Sequence, residues 1–109
     1  MEIKLSDPFA AELLKTRTAL MQVIDPELCV NIVDLGFIYG VDFTDAAKVK
    51  VTMTLTTPGC PMGGTIVEWV KNVLGAAFPE RAIEIEIVWE PPWNYDRITD
   101  EGKAQMGLQ

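Results

Sequence analysis

The chain contains no histidine. That absence excludes Ser-His-Asp and Cys-His catalysis built within the chain, and any histidine-ligated metal site, so chemistry must come from thiol, carboxylate, hydroxyl or backbone groups. Cysteine is scarce too. Cys29 and Cys60 are too few for a disulfide-stapled scaffold, and in a reducing compartment such thiols are read as buried, metal-binding or reactive rather than cross-linked. Positive charge is in deficit: a net charge of −7 with no long basic stretch removes the attraction to phosphate on which non-specific nucleic-acid binding depends. Neither nucleic acid nor an anionic membrane is an expected partner. No segment approaches the ~18 uninterrupted apolar residues of a membrane-spanning helix. The stretch from Met1 to Asp7 lacks the basic start and apolar run of a secretory signal, which points to the cytoplasm.

What is present is enough apolar residue, 49%, to build one core in 109 residues, so a single domain over 1–109 is expected. Asp7-Pro8 reads as a helix start, with proline in the first turn. The helix should run to near Ile24, with Ala10, Leu13, Leu14, Leu20, Met21 and Ile24 on its apolar face, and stop because Asp25 precedes Pro26. Residues 25–36 read as an ordered loop, with Asp34-Leu35-Gly36 turning the chain. Phe37–Phe43 reads as a strand with Phe37, Tyr39, Val41 and Phe43 on one face, followed by a hairpin connection through Thr44-Asp45-Ala46-Ala47.

Lys48–Leu55 alternates Val49, Val51, Met53 and Leu55 against Lys and Thr, the mark of a half-buried strand. Ala82–Trp89 alternates Ile83, Ile85, Ile87 and Trp89 against Glu84, Glu86 and Val88, which places Trp89 in the core. The Lys and Glu faces complement each other if these two strands are neighbours. Between them, Pro61–Ala77 is an amphipathic helix through Ile66, Val70, Val73, Leu74 and Ala77, closed by Phe78-Pro79. In the tail, Thr99-Asp100-Glu101 caps a short last helix and Trp93 seals a core edge. The expected fold is a two-layer α/β (α+β) domain in the order α-β-β-α-β. A small three-stranded sheet carries its helices on one face, with an ordered C-terminal tail.

Cys60 stands where the second strand hands over to the second helix, directly before a proline suited to the first helical position. There it is a candidate N-cap. The free N–H groups and positive dipole end of a helix start stabilise thiolate, the form that binds metal or attacks. Gly59, Gly63 and Gly64 allow close approach to the sulfur. Asp25 and Glu27, in Asp25-Pro26-Glu27-Leu28, form a second constellation, with turn organisation as the plainer alternative for Asp25. Thr54, Thr56 and Thr57 line the strand exit, where hydroxyls can bond the loop or a ligand. Cys29 has no helix start of its own and reads as a packing residue.

Taken in order, Asp25-Pro26-Glu27-Leu28, Ile32-Val33-Asp34-Leu35-Gly36, Thr52 to Pro61 and Pro91-Pro92-Trp93 resemble the SufT/PaaD-like proteins of iron–sulfur cluster assembly, also called metal–sulfur cluster biosynthetic proteins. The resemblance covers nearly the whole chain after Asp7. It implies a compact α/β domain that helps transfer or insert clusters into client proteins, acting with other assembly factors. It also implies that Cys60 is the functional thiol and transient metal ligand, that Asp25 is the motif aspartate, and that the motif threonine is Thr54, Thr56 or Thr57. Cys29 departs from the family, which usually has a small residue such as glycine there. The cysteine-rich tail of PaaD-type members is not matched, so the general assembly role is the expected one.

Clusters are normally held by about four cysteine ligands. One strong candidate thiol therefore implies a transient cluster, shared across a homodimer or with a client, and none held stably by a monomer. Two rivals stand beside this reading. One is a client-binding adaptor without chemistry of its own. The other is a thiol-nucleophile enzyme of sulfur or acyl transfer, which would have only Asp25 or Glu27 as base. An assembly or carrier role is favoured over an enzyme.

Overall fold

The structure is a computed structural model that describes residues 6–26, 28–56 and 63–107. Glu27, Thr57 and Cys60 lie outside the described residues, as does the expected helix start at Pro61. The elements are α1 (Ala10–Leu20), β1 (Ile38–Asp42), β2 (Lys48–Met53), α2 (Gly63–Ala77) and β3 (Ala82–Ile87). A 3-10 turn (Tyr95–Arg97) and α3 (Asp100–Gln105) complete the tail. The three strands form one mixed sheet in the order β1-β2-β3, with β1 antiparallel and β3 parallel to β2. The expected α/β architecture and the pairing of β2 with β3 are both present. Among the described residues, no helix is long and apolar enough to cross a membrane.

β2 carries the pattern that organises the sheet. Val49, Val51 and Met53 are fully buried and pack with Leu20, Ile66, Val70 and Leu74, while Lys50 and Thr52 stay half-buried on the other face. On that open face Lys50 Nζ meets Glu86 Oε2 at 3.0 Å and Lys48 Nζ meets Glu84 Oε2 at 4.0 Å. The register sets Lys50 opposite Glu84 and Thr52 opposite Glu86, so the ion pairs run diagonally between parallel strands.

α1 is shorter than expected. Asp7 does not cap it: its Oδ1 accepts the Phe9 N–H at 2.7 Å, closing a turn that delays the helix, and Phe9 occupies the N-cap position. The chain leaves the helix after Leu20, four residues before Ile24. The expected apolar face is also rotated. Leu14, Met21 and Ile24 are exposed, and the inward stripe runs through Phe9, Leu13, Thr16, Leu20 and Val23. Thr16 hid this stripe because it is polar; it is fully buried with its hydroxyl donating to the Glu12 carbonyl at 2.8 Å.

β1 departs from simple alternation as well. Ile38 pairs with Met53 and Gly40 with Thr52, so Tyr39 is an extra residue in a bulge. The bulge turns Ile38 inward beside Phe37 and leaves Tyr39 half-buried, against the expected facing. β3 ends at Ile87, and Trp89 lies past it at 39% exposure rather than in the core. Trp93 does seal an edge: its Nε1 donates to the Leu35 carbonyl at 2.6 Å and its ring meets Phe37 edge-on at 5.6 Å.

Candidate functional site

The register gathers three chain segments at one end of the sheet. Ile38, Met53 and Ile87 form one cross-strand row, the last residues of β2 and β3 beside the first of β1. Two bonds extend the row: Thr54 N–H donates to the Phe37 carbonyl at 2.8 Å, and Val88 N–H to the Met53 carbonyl at 2.9 Å. β2, α2 and β3 make a parallel crossover, and ligand sites of such sheets sit beyond the carboxyl ends of the strands. The connection that carries Thr57 and Cys60 leaves β2 from this end.

Asp25 is 3% exposed, in a turn that it organises with three groups. Its Oδ1 accepts the Leu28 N–H at 3.0 Å, its carbonyl accepts the Cys29 N–H at 2.7 Å, and its own N–H donates to the Val30 carbonyl at 3.0 Å. Burial and this acceptor role hold the carboxylate in a fixed place. Thr54 is also buried, at 1%, and its hydroxyl donates to the Leu55 carbonyl at 3.3 Å, which steadies the exit of β2.

Cys29 is not the packing residue expected. It is exposed, with its thiol directed at the Pro26 carbonyl at 3.8 Å, and its backbone lies in the left-handed region at φ 59°. That conformation favours glycine and explains why a small residue suits this position. Among the described residues, no three histidine, cysteine, aspartate or glutamate side chains are grouped to hold a metal ion.

The second buried aspartate has a structural task. Asp34 Oδ2 accepts from Asn31 Nδ2 at 2.8 Å, and its Oδ1 accepts from the Thr99 hydroxyl at 3.0 Å, tying the loop to the N-cap of α3. That cap is formed as expected, Thr99 Oγ1 accepting from Gly102 N–H at 3.0 Å. Thus the loop, the end of β2 and the tail are braced against one another around the exit of the thiol segment.

The family described as "Iron-sulfur cluster assembly protein" matches residues 15–87, a span that includes Asp25, Thr54, Thr57 and Cys60. The chain belongs to this family. It is 47% identical over 92 residues to the Fe-S protein maturation auxiliary factor YitW of Bacillus subtilis, covering 84% of this chain and 89% of that protein. The auxiliary factor SufT of Staphylococcus aureus is likewise 47% identical, over 79% of this chain and 98% of its own length. Among solved structures, a Bacillus anthracis domain of unknown function is similar with a TM-score of 0.83 and 43% identity, over 91% of this chain and 94% of that one. An iron-sulfur cluster carrier protein of Mycobacterium bovis is 31% identical over 85% of this chain, but only 22% of the carrier.

Proposed function

We propose that this protein is a maturation factor that helps deliver iron–sulfur clusters to client proteins in the cytoplasm, with Cys60 as its working thiol. The observation that carries the reading is 47% identity, over most of both chains, to proteins named Fe-S protein maturation auxiliary factors. The chemistry of the chain suits it. With two cysteines and no histidine, the chain falls short of the about four ligands a cluster normally takes. The cluster is therefore cargo, held between Cys60 and ligands from a client, another assembly factor or a second copy.

Transfer by this route is ligand exchange. An iron–thiolate bond to Cys60 breaks as a bond to a client thiolate forms, and the client's thiol proton ends on the Cys60 sulfur, with no change of oxidation state. Cys60 stands three residues ahead of Gly63, the first described residue of α2. The positive pole of a helix start favours its thiolate. The buried Asp25 and the threonines of the β2 exit, Thr54 and Thr57, position or supplement it.

The test is Cys60→Ser in cells, reading the cluster content of client enzymes. Loss of client clusters with an intact fold is expected, and unchanged content would refute the thiol role and leave an adaptor. Because Cys29 is exposed, the Cys60 titration is best read by alkylation against pH in a Cys29→Gly background. A pKa below the ordinary ~8.5 is expected, and a value at or above it would count against thiolate function.

A further inference from the structure

Beside the exit of the thiol segment lies a cavity of 400 Å³ lined by Gly36, Ile38, Tyr39, Pro91 and Arg97. Tyr39 is there because of the β1 bulge, and its hydroxyl donates to the Pro91 carbonyl at 2.7 Å, locking the wall between strand and tail. Arg97 lies with its guanidinium 4.7 Å from the centre of the Tyr39 ring. The backbone of Gly36 passes so close to Arg97 that a Cβ there would collide with the Arg97 carbonyl. The Tyr39 ring and the Gly36 backbone thus position the arginine between them.

Its hydrogen bonding is incomplete. Arg97 Nε is buried without a hydrogen-bond partner, the one such side-chain atom among the described residues, and neither ion pair found among them includes Arg97. A guanidinium carries five donors in a planar fork matched to carboxylate. In a chain of net charge −7, an arginine held against Tyr39 and paired with no carboxylate among the described residues leaves its guanidinium fork for an incoming anion.

We infer that the Arg97 cavity is a client-docking site that takes an aspartate or glutamate side chain from an extended segment of the client. This rests on the maturation reading above, and adds to it where the client is gripped. A lone arginine in an acidic protein suits a single carboxylate and not a polyanion such as nucleic acid. The Tyr39 ring and Pro91 give the carboxylate's aliphatic stem an apolar wall, and arginine with tyrosine is the composition of binding hot spots. A chain-terminal carboxylate is captured in nests of backbone N–H groups, whereas this cavity offers one side-chain fork. Because Ile38 pairs with Met53, a segment held here lies at the sheet end from which the Cys60 connection departs.

The experiment is an NMR titration of the full chain, following the Arg97 Nε–H signal and the backbone amides of Gly36 and Tyr39. The probes are N-acetyl-glutamate amide, N-acetyl-glutamine amide, N-acetylglycine and inorganic phosphate. The expected result is a saturable shift with the glutamate probe, none with glutamine, and weaker shifts with the other two. Arg97→Gln keeps the Cβ that packs on Gly36, and should weaken binding about tenfold or more with the fold intact; Arg97→Lys should recover only part, lacking the fork. Equal shifts with glutamine, tighter binding of N-acetylglycine or phosphate, or binding that survives Arg97→Gln would each overturn the inference. The two readings fail separately. If Cys60→Ser leaves client clusters unchanged while the glutamate probe still binds at Arg97, the thiol role falls and the docking site stands. If Cys60→Ser abolishes client maturation while Arg97→Gln does not lower it, the cavity is not where clients dock.

Discussion

At position 36 the backbone takes φ 77° and runs against Arg97, two constraints that only glycine meets together. Gly36→Ala should therefore cost about 2 kcal/mol or more from the left-handed conformation and the collision combined, read as a lower urea midpoint. It should also disturb the Arg97 cavity. Cys29 shows the milder form of the same constraint: it tolerates φ 59°, but exposed and unpacked. Asp25, read as the motif aspartate, and Asp34, read as a turn residue, are both buried acceptors. Asp34 joins elements 65 positions apart through Thr99, a task that no local pattern displays.

Among the elements, the facing of β2 was readable over Lys48–Met53 because each inward position there is apolar and each outward one polar; the strand ends at Met53 rather than at the expected Leu55, and Thr54, expected on the polar face, is buried. α1 was not readable in this way, since a buried threonine stood where the apolar stripe needed a hydrophobe. β1 misled for another reason: a bulge adds one residue and reverses the facing of those before it. Among the described residues, the two perturbed ionisations belong to the open sheet face and its hairpin. The Glu86 carboxylate hydrogen-bonds Lys50 and raises its pKa above the ordinary 10.5, so that contribution is complete below this value and is lost as pH climbs through the raised one. The Thr44 hydroxyl and N–H lower the Asp42 pKa below the ordinary 3.8, so its contribution is complete above that value and is lost as pH falls through the lowered one. Glu86→Gln should flatten the alkaline limb of stability against pH, and Thr44→Ala should flatten the acid limb. Asp42 is exposed and the Lys50 side chain is in reach of solvent, so the effects are small and shrink at high salt.

At the scale of the molecule, one core joins both long helices to one face of the sheet and continues into the tail through Ile98 and Trp93. Leu74 is fully buried at its centre, and Leu74→Ala should cost about 2–5 kcal/mol by chemical denaturation. Against a typical total of about 5–15 kcal/mol, that is a large share of the stability. The periodicities of β2, α2 and β3 determined by themselves the fold class, because burial of one face is a local property of residue order; the complementary Lys and Glu faces favoured β2 and β3 as neighbours, and the sheet order decided it. The order of motifs likewise pointed to the iron–sulfur assembly family. Only the tertiary structure decided that Tyr39 faces the tail, that Trp89 is exposed, and that Arg97 is held against the Tyr39 ring beside the exit of the Cys60 segment. Each of these depends on a bulge or on a contact between distant segments, and neither leaves a period in the sequence.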